Sequence, residues 1–211
     1  MEKEIKDYLA QFVKQAVTED IGDGDHTSLS TIEEGAQGEA KLIVKDPGII
    51  AGVEVAQAIM AYIDQTLTCE VLIQDGSEVA VGDIAFYVRG NIQSILLAER
   101  LVLNVMQRMS GIATTTRKYV DLLEGTATKV LDTRKTTPLL RVLEKEAVRI
   151  GGGTNHRFGL FDMILIKDNH VDYSGGIAAA LQRANDYRKK LSKPIEIEIE
   201  VRNFAELDEV L

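Results

Sequence analysis

From residue 129 onward, short apolar runs alternate with helical segments, and this rhythm leaves few folds open to the chain. Strand-like runs at Lys129 to Asp132, Met163 to Lys167 and Ile195 to Val201 are separated by helical patterns at Pro138 to Arg149 and Gly176 to Lys190, with a last one at Phe204 to Leu211. Strands joined through helices run parallel rather than closing as tight hairpins, so the pattern predicts a parallel sheet or barrel. Met163-Ile164-Leu165-Ile166 reads as a strand buried on both faces. Ile195 to Val201 instead alternates, with Glu196, Glu198 and Glu200 on one face. Alone, that pattern fits an antiparallel strand with a solvated side. Inside a parallel array it points the acids into a barrel lumen, where a metal or sugar hydroxyls satisfy them. Glu200, nearest the carboxyl end, is the candidate for that role, and the deeper Glu196 reads as structural.

Before residue 129 the rhythm differs. Ile5, Leu9, Phe12, Val13, Ala16 and Val17 recur at helical spacing over Glu4 to Glu19, and Gly22-Asp23-Gly24-Asp25 stops that helix. A strand over Glu39 to Lys45 and a helix over Val53 to Ile63 follow. Short β-runs between Cys69 and Arg89, split by Asp75-Gly76 and Gly82-Asp83, predict an antiparallel meander. The segment Ile92 to Met109 carries a wide apolar face, Ser110-Gly111 marks its end, and a second helix runs from about Ala113 to Leu123. The expected architecture is α/β: an N-terminal α+β module over 1–112, then the first part of a parallel α/β barrel over 113–211.

Charge locates a site on this frame. The chain has a formal net charge of -9, yet Lys129 to His170 holds eight Lys/Arg against five Asp/Glu, a local +3 that leaves -12 for the remainder. Arg134 and Lys135 lie just past the apolar Val130-Leu131, and Lys167 ends the run Met163 to Ile166. In parallel α/β folds ligands bind at the carboxyl ends of strands, so these cations, with His156 and Arg157, form a candidate site for a small polyanion. A solvated helix face is the plainer account of such charges, and their positions at strand ends weigh against it. Thr137 and Pro138 fit a helix N-cap and first turn, and Gly151-Gly152-Gly153 fits a helix C-cap, a close backbone approach to a ligand or a loop that moves.

The same composition excludes several classes. No window approaches the roughly 18 apolar residues that span a bilayer, and Met-Glu-Lys-Glu is too polar to start a secretory signal, so a cytoplasmic protein with no membrane partner is expected. A single cysteine, Cys69, cannot form an internal disulfide and reads as a small buried hydrophobe. An acidic chain with no Trp lacks the broad basic surface of a nucleic-acid binder.

The strings ERLVLNVMQRMSGIAT, LDTRKTTPLLR, GGGTNHRFG, ILIKDNH and EIEV, in this order and spacing, together with the early EDIGDGDHTS, resemble the quinolinate phosphoribosyltransferases, also called carboxylating nicotinate-nucleotide pyrophosphorylases. The resemblance covers essentially the whole chain. It implies an enzyme that joins quinolinate to phosphoribosyl pyrophosphate, releasing pyrophosphate and carbon dioxide, to give nicotinate mononucleotide in NAD synthesis. It further implies an N-terminal α/β module with an incomplete α/β barrel, a head-to-tail homodimer or a larger assembly of dimers, and Mg²⁺ bound with the sugar pyrophosphate. By this resemblance Arg134, His156, Arg157 and Lys167 hold the two carboxylates of quinolinate, Lys135 contacts the phosphoribosyl donor, Glu200 faces its ribose and metal, and Arg100 enters the partner subunit's site. No organic cofactor is implied.

Family members continue past a third βα unit with strands carrying a second acidic metal-side residue and glycine-rich phosphate loops. These 211 residues are therefore expected to be the front part of a longer enzyme and inactive by themselves. Two rivals stand beside this reading. One is a related transferase acting on nicotinate or another acid, or a pyrophosphorylase-like paralogue. The other is a biotinyl or lipoyl carrier module, suggested by Gly76 to Asp83, although Cys69 to Asn91 contains no lysine to carry the group.

Overall fold

The computed structural model describes residues 3–211, with side chains from Asp7 onward, so the expected apolar role of Ile5 lies outside the described residues. The described chain forms two compact units that meet in sequence at Asn155 and His156. In chain order the first holds α1 (Lys3–Ile21), α2 (His26–Thr31), β1 (Gln37–Ile43), β2 (Gly48–Ile49), α3 (Val53–Ile63), β3 (Thr68–Val71), β4 (Glu78–Val79), β5 (Ile84–Asn91), α4 (Ile92–Asp121) and α5 (Arg141–Ile150). The second holds β6 (Met163–Ile166), α6 (Asp168–Ser174), α7 (Ile177–Arg188), β7 (Glu196–Ile199) and α8 (Phe204–Val210).

In the first unit β5 is the central strand, antiparallel to β1 on one side and β3 on the other, while β4 pairs with β2 in a separate ladder. The expected meander of neighbouring hairpins is therefore corrected: β4 leaves its sequence neighbours to pair with β2. β1 exposes Gln37, Glu39 and Lys41 in alternation, and β5 buries Ala85, Phe86 and Val88. Arg89 on β5 ties Glu39 on β1 and Glu70 on β3 across the solvent face. The core, with Val13, Val53, Ile59 and Met109 at its centre, also draws on α1, α3 and α4. The Gly22 to Asp25 stretch ends α1 as expected, and Asp25 then caps α2, its carboxylate accepting the amides of Thr27 and Ser28 at 3.1 Å each. The Asp75-Gly76 turn caps in the same way at a distance. Asp75 accepts the amides of Val53 at 2.9 Å and Glu54 at 3.2 Å at the start of α3, and burial pushes its carboxyl up against those hydrogen bonds.

Ser110-Gly111 does not end a helix. α4 runs unbroken for 30 residues, through the expected stop and the expected start at Ala113. Ser110 Oγ accepts the Ala51 amide at 2.9 Å and donates to the Ala51 carbonyl at 3.2 Å, while Thr114 Oγ1 accepts the Ile49 amide at 2.9 Å. These hydroxyls supply the partners that a neighbouring strand would give the chain around β2. Burial of Met106, Met109 and Ala113 outweighs the roughly 1 kcal/mol helical cost of Gly111.

α5 starts later than expected, at Arg141, and the N-cap position belongs to Leu140 rather than Thr137. Thr137 is engaged elsewhere, and Leu139 adopts a left-handed φ of 65°, which breaks the helical path between them. The expected strand at Lys129 to Asp132 is reduced to one parallel bridge, Leu131 to Thr154. The three glycines serve packing: a Cβ on Gly151 would meet the Ala113 carbonyl and Thr116 of α4, and Gly152 has φ +94°. The backbone approach foreseen there is to a helix.

In the second unit β6 and β7 pair in parallel, Met163 with Glu196 through Ile166 with Ile199, and the Glu200 amide extends the ladder to the Ile166 carbonyl at 2.9 Å. Ile164, Ile166, Ile197 and Ile199 pack with Val171, Ile177, Ala180 and Leu181 of the helices. By alternation Leu165, Lys167 and the three glutamates share the opposite face. α6, about two turns between Lys167 and Gly175, has no counterpart in the expected pattern.

Leu139 is 71% exposed, so its side chain contributes little packing to offset a left-handed backbone. Leu139→Gly is expected to melt at or above the parent and Leu139→Val below it, since a β-branched residue fits φ > 0 worst. Thermal unfolding of the three proteins checks the order.

Candidate functional site

The polyanion candidates fall into two sets, one in each unit. In the first unit the loop 132–140 carries Arg134 and Lys135, and the start of α5 grips it. Lys145 pairs with Asp132, both fully inside. The Asn155 amide nitrogen, in the orientation its neighbours require, donates to Asp132 Oδ2 at 2.7 Å. Arg141 donates from Nε to Thr136 Oγ1 at 3.0 Å and from Nη2 to the Arg134 carbonyl at 3.3 Å. Arg108, reaching from α4, donates to Glu144 Oε1 through Nε at 3.1 Å and Nη2 at 2.6 Å, and also to Thr137 Oγ1 at 3.0 Å. The second Glu144 oxygen accepts the Thr137 amide at 3.1 Å.

These contacts fix the loop's backbone and leave its cations available. Arg134 Nε is buried with no hydrogen-bond partner among the described residues, and Lys135 is exposed, its amide turned onto Thr133 Oγ1 at 3.0 Å. A buried donor without an acceptor is costly, and an incoming anion would relieve it. Arg100 stands on the exposed side of α4 with no ion pair or hydrogen bond among the described residues.

In the second unit the parallel ladder brings the ends of β6 and β7 side by side. Lys167 and Glu200, each just past its strand, form an ion pair. The Lys167 amide donates to His170 Nδ1 at 2.9 Å, so the imidazole satisfies an amide at the start of α6. Two residues before Glu200 on the same face, Glu198 meets His156 Nε2 at 2.9 Å. Arg157 is 8% exposed, and its one hydrogen bond among the described residues runs from Nη1 to the Met163 carbonyl at 3.3 Å. A buried guanidinium with a single long contact keeps donors for a carboxylate. The turn into β6 is held by Asp162, which accepts the amides of Phe158 at 2.6 Å and Gly159 at 2.8 Å.

The structure thus joins His156, Lys167 and Glu200 through one strand pair, with Arg157 at the entry to β6, and sets Arg134 and Lys135 on one gripped loop. Glu144, Arg108, Lys145 and Glu198 escaped the reading of the sequence. One signal was available: Arg141, Glu144 and Lys145 stand at i, i+3 and i+4, on one side of a helix whose next residues are core.

No group of three or more His, Cys, Asp or Glu side chains suited to a metal occurs among the described residues. Glu198 and Glu200 are hard oxygen donors on one face, already partnered by His156 and Lys167. Such a set does not cage an ion, but it suits Mg²⁺ that arrives on phosphate oxygens and keeps its waters. Nor, among the described residues, is any helix long and apolar enough to cross a membrane.

Comparison with known proteins covers most of the chain. The family model described as quinolinate phosphoribosyl transferase, N-terminal domain, matches residues 25–110, and that for the C-terminal domain matches 112–211. Those matches abut inside α4, whereas the compact units divide at 155. A quinolinate phosphoribosyltransferase [decarboxylating] 1b of Nicotiana tabacum is 45% identical over 204 residues, covering 96% of this chain and 58% of its own length. A probable nicotinate-nucleotide pyrophosphorylase [carboxylating] of Synechocystis is 41% identical over 95% of this chain and 66% of its own. Among solved structures, NadC from Streptococcus pyogenes superposes with a TM-score of 0.90 at 36% identity, covering 96% of this chain and 70% of that one. The nicotinate-nucleotide pyrophosphorylase from Francisella tularensis gives 0.87 at 39% identity, over 97% and 71%. The chain spans less than two thirds of the length of the curated plant relatives it matches.

Glu144 gives the first unit a defined acid dependence. Burial alone would raise its carboxyl, but hydrogen bonds from Arg108 and Thr137 outweigh that and hold it below its ordinary value. A carboxylate depressed in the folded state contributes stability above its unfolded pKa and loses it as pH falls through the folded one. The stability advantage of the parent over Glu144→Gln is therefore expected to be full at neutral pH and to shrink below the ordinary glutamate range. Denaturant titrations at stepped pH measure it; a gap that does not narrow in acid counts against the paired carboxylate.

Proposed function

This chain belongs to the quinolinate phosphoribosyl transferase family, and on that premise we propose that its protein transfers the phosphoribosyl group of phosphoribosyl pyrophosphate to quinolinate with loss of carbon dioxide, forming nicotinate mononucleotide. One observation carries the reading furthest: parallel pairing sets Lys167 beside Glu200 at neighbouring strand ends, close in sequence to a buried Arg157 whose donors are largely unengaged. A cation next to a carboxylate suits a reaction in which an anionic acid meets a sugar that turns cationic.

The chemistry asks three things of the protein. A planar dianion must be held in a fixed orientation, which guanidinium and ammonium groups do through charge-assisted hydrogen bonds. Arg134, His156, Arg157 and Lys167 are the cations proposed for that role. Lys135 serves the phosphate-bearing donor. As pyrophosphate departs, C1 of the ribose gains oxocarbenium character, and the Glu200 carboxylate opposes that charge. Glu200 would be the residue to hold Mg²⁺ arriving with the donor, and the ion would supply positive charge against the leaving pyrophosphate. Once the ring nitrogen is glycosylated, its positive charge stabilises the electron pair left on the adjacent ring carbon as carbon dioxide departs, and a proton from water then fills that position, so Lys167 and Arg157 need only hold the remaining carboxylate. No covalent nucleophile or organic cofactor enters.

The proposal includes a homodimer with shared sites, supported by an exposed Arg100 without a partner among the described residues. Its substrates are water-borne polyanions, and a cytoplasmic location is part of the proposal. Relatives from Nicotiana tabacum and Arabidopsis thaliana carry mitochondrial and chloroplastic names, so fractionation of the source cell decides location.

In the whole protein, quinolinate but not nicotinate is expected to consume phosphoribosyl pyrophosphate; the reverse preference would replace this acid by a monocarboxylate. Arg157→Met is expected to raise the KM for quinolinate well above any change for the donor, since losing a charge-assisted contact costs about 1.5 to 3 kcal/mol. Equal weakening of both substrates would remove Arg157 from the acid's pocket. For the shared site, Arg100→Ala and Lys135→Ala are each expected to be inactive, and mixing them under subunit exchange should restore part of the activity. Hybrids that form without recovering turnover would assign Arg100 to its own subunit.

A further inference from the structure

The loop bearing Arg134 and Lys135 ends in a conformation that its own sequence does not favour. Pro138 has no amide to donate, Leu139 sits at φ 65°, and Leu140 caps α5 without a side-chain hydrogen bond. Thr137, the last residue before this stretch, is nevertheless held at two points, its amide by Glu144 and its hydroxyl by Arg108. Glu144 is 9% exposed at the side chain, and both its oxygens are used; Arg108 is 54% exposed and belongs to a different helix.

We propose that the Arg108–Glu144 pair, through its hold on Thr137, is a positioning device for the reaction, setting the backbone that aims Arg134 and Lys135. This rests on the proposed transferase activity, in which those two cations meet the acid and the donor. Three features separate the pair from an ordinary surface bridge. It joins α4 to α5 over 36 residues of sequence and α4 to the loop over 29, whereas Arg141 and Lys145 grip the same loop only from α5. Its contact with the loop includes a backbone amide, so it sets chain path rather than one rotamer. And Arg108 occupies Glu144 through two nitrogens, which keeps a neighbouring carboxylate from taking Arg134 or Lys135 as its counter-charge. A substrate anion therefore meets them without displacing an internal one.

The test compares Glu144→Ala, Glu144→Gln and Thr137→Val in the whole protein. Glutamine keeps a carbonyl for the Thr137 amide; alanine removes both contacts; valine keeps the Arg108–Glu144 pair and its charge balance, so it reports even where the alanine variant folds poorly. With melting within a few degrees of the parent, kcat for Glu144→Ala is expected to fall about 10- to 100-fold, with KM values moving less, because misplacing a catalytic group by an ångström costs about that much. Glu144→Gln should recover part of the loss, and Thr137→Val should fall between Gln and the parent. Hydrogen exchange should show protection lost at the Thr137 amide and its loop neighbours in Glu144→Ala, with α4 and α5 unchanged. Full kcat in Glu144→Ala, equal losses in Ala and Gln, or an unaltered Thr137 amide would each overturn the proposal. If the parent itself fails to turn over quinolinate, the transferase reading falls; the positioning role, which depends on it, falls too, while the exchange data still show whether the grip on Thr137 exists.

Discussion

A charge taken out of water must find its opposite, and Glu144 and Lys145 impose that requirement twice in succession at the start of α5. Breaking a buried pair by removing one member costs about 3 to 5 kcal/mol, which applies to Lys145 with Asp132; the half-exposed Arg108 makes its tie to Glu144 the weaker of the two. Their partners lie in two places: Arg108 on the long helix before them, and Asp132 on the loop that leads into them. The result is that α4, the loop 132–137 and α5 are tied by charge as well as by the apolar core that Leu143 and Ala147 share with α4. Arg134 and Lys135 inherit a fixed support from residues that themselves need not touch a ligand.

The second unit reaches a comparable end through strand periodicity. Isoleucines at alternate positions of β7 take the helices, which leaves the glutamates no choice but the other face. Parallel pairing then aligns the strand ends, so Lys167 and Glu200 become neighbours because of backbone register rather than attraction between them. Their ion pair is half-exposed and worth little by itself. Its value lies in placing opposite charges where a ligand can use both.

Much of this was legible in the sequence. The Val53–Ile63 helix has the bounds its periodicity implies, and the apolar run at 163–166 is a strand, but only Ile166 of it is buried, so the expected burial on both faces is corrected. Cations just past apolar runs did mark strand ends and a gripped loop. The errors share one cause: a local reading cannot see a partner far along the chain. Ser110-Gly111 looked like a stop because Ser and Gly favour one, yet Ser110 and Thr114 are committed to Ile49 and Ala51, some sixty residues away. Thr137 looked like a cap, and it is withheld from that role by Arg108 and Glu144. Glu198 looked like one more acid in an alternating strand, and its imidazole partner lies 42 residues upstream. The brief pairing at Leu131 shows the converse, where a good strand composition found only Thr154 to bond with.

The seam between β2 and α4 has a bearing on how such a sequence can vary. An added Cβ at Gly48 would collide with the Thr114 hydroxyl that serves Ile49, and one at Gly151 would strike Ala113 and Thr116 of the same helix. Positions 48 and 114, and likewise 151 with 113 and 116, are thus not independent letters. A larger residue at one becomes admissible only after its counterpart has shrunk or turned away, and for Gly48 the turn would forfeit the hydroxyl that completes β2. Drift along α4 should therefore proceed by paired replacements, with the single intermediates carrying the penalty, which makes this helix slow to change on its packed side even where no ligand is ever touched.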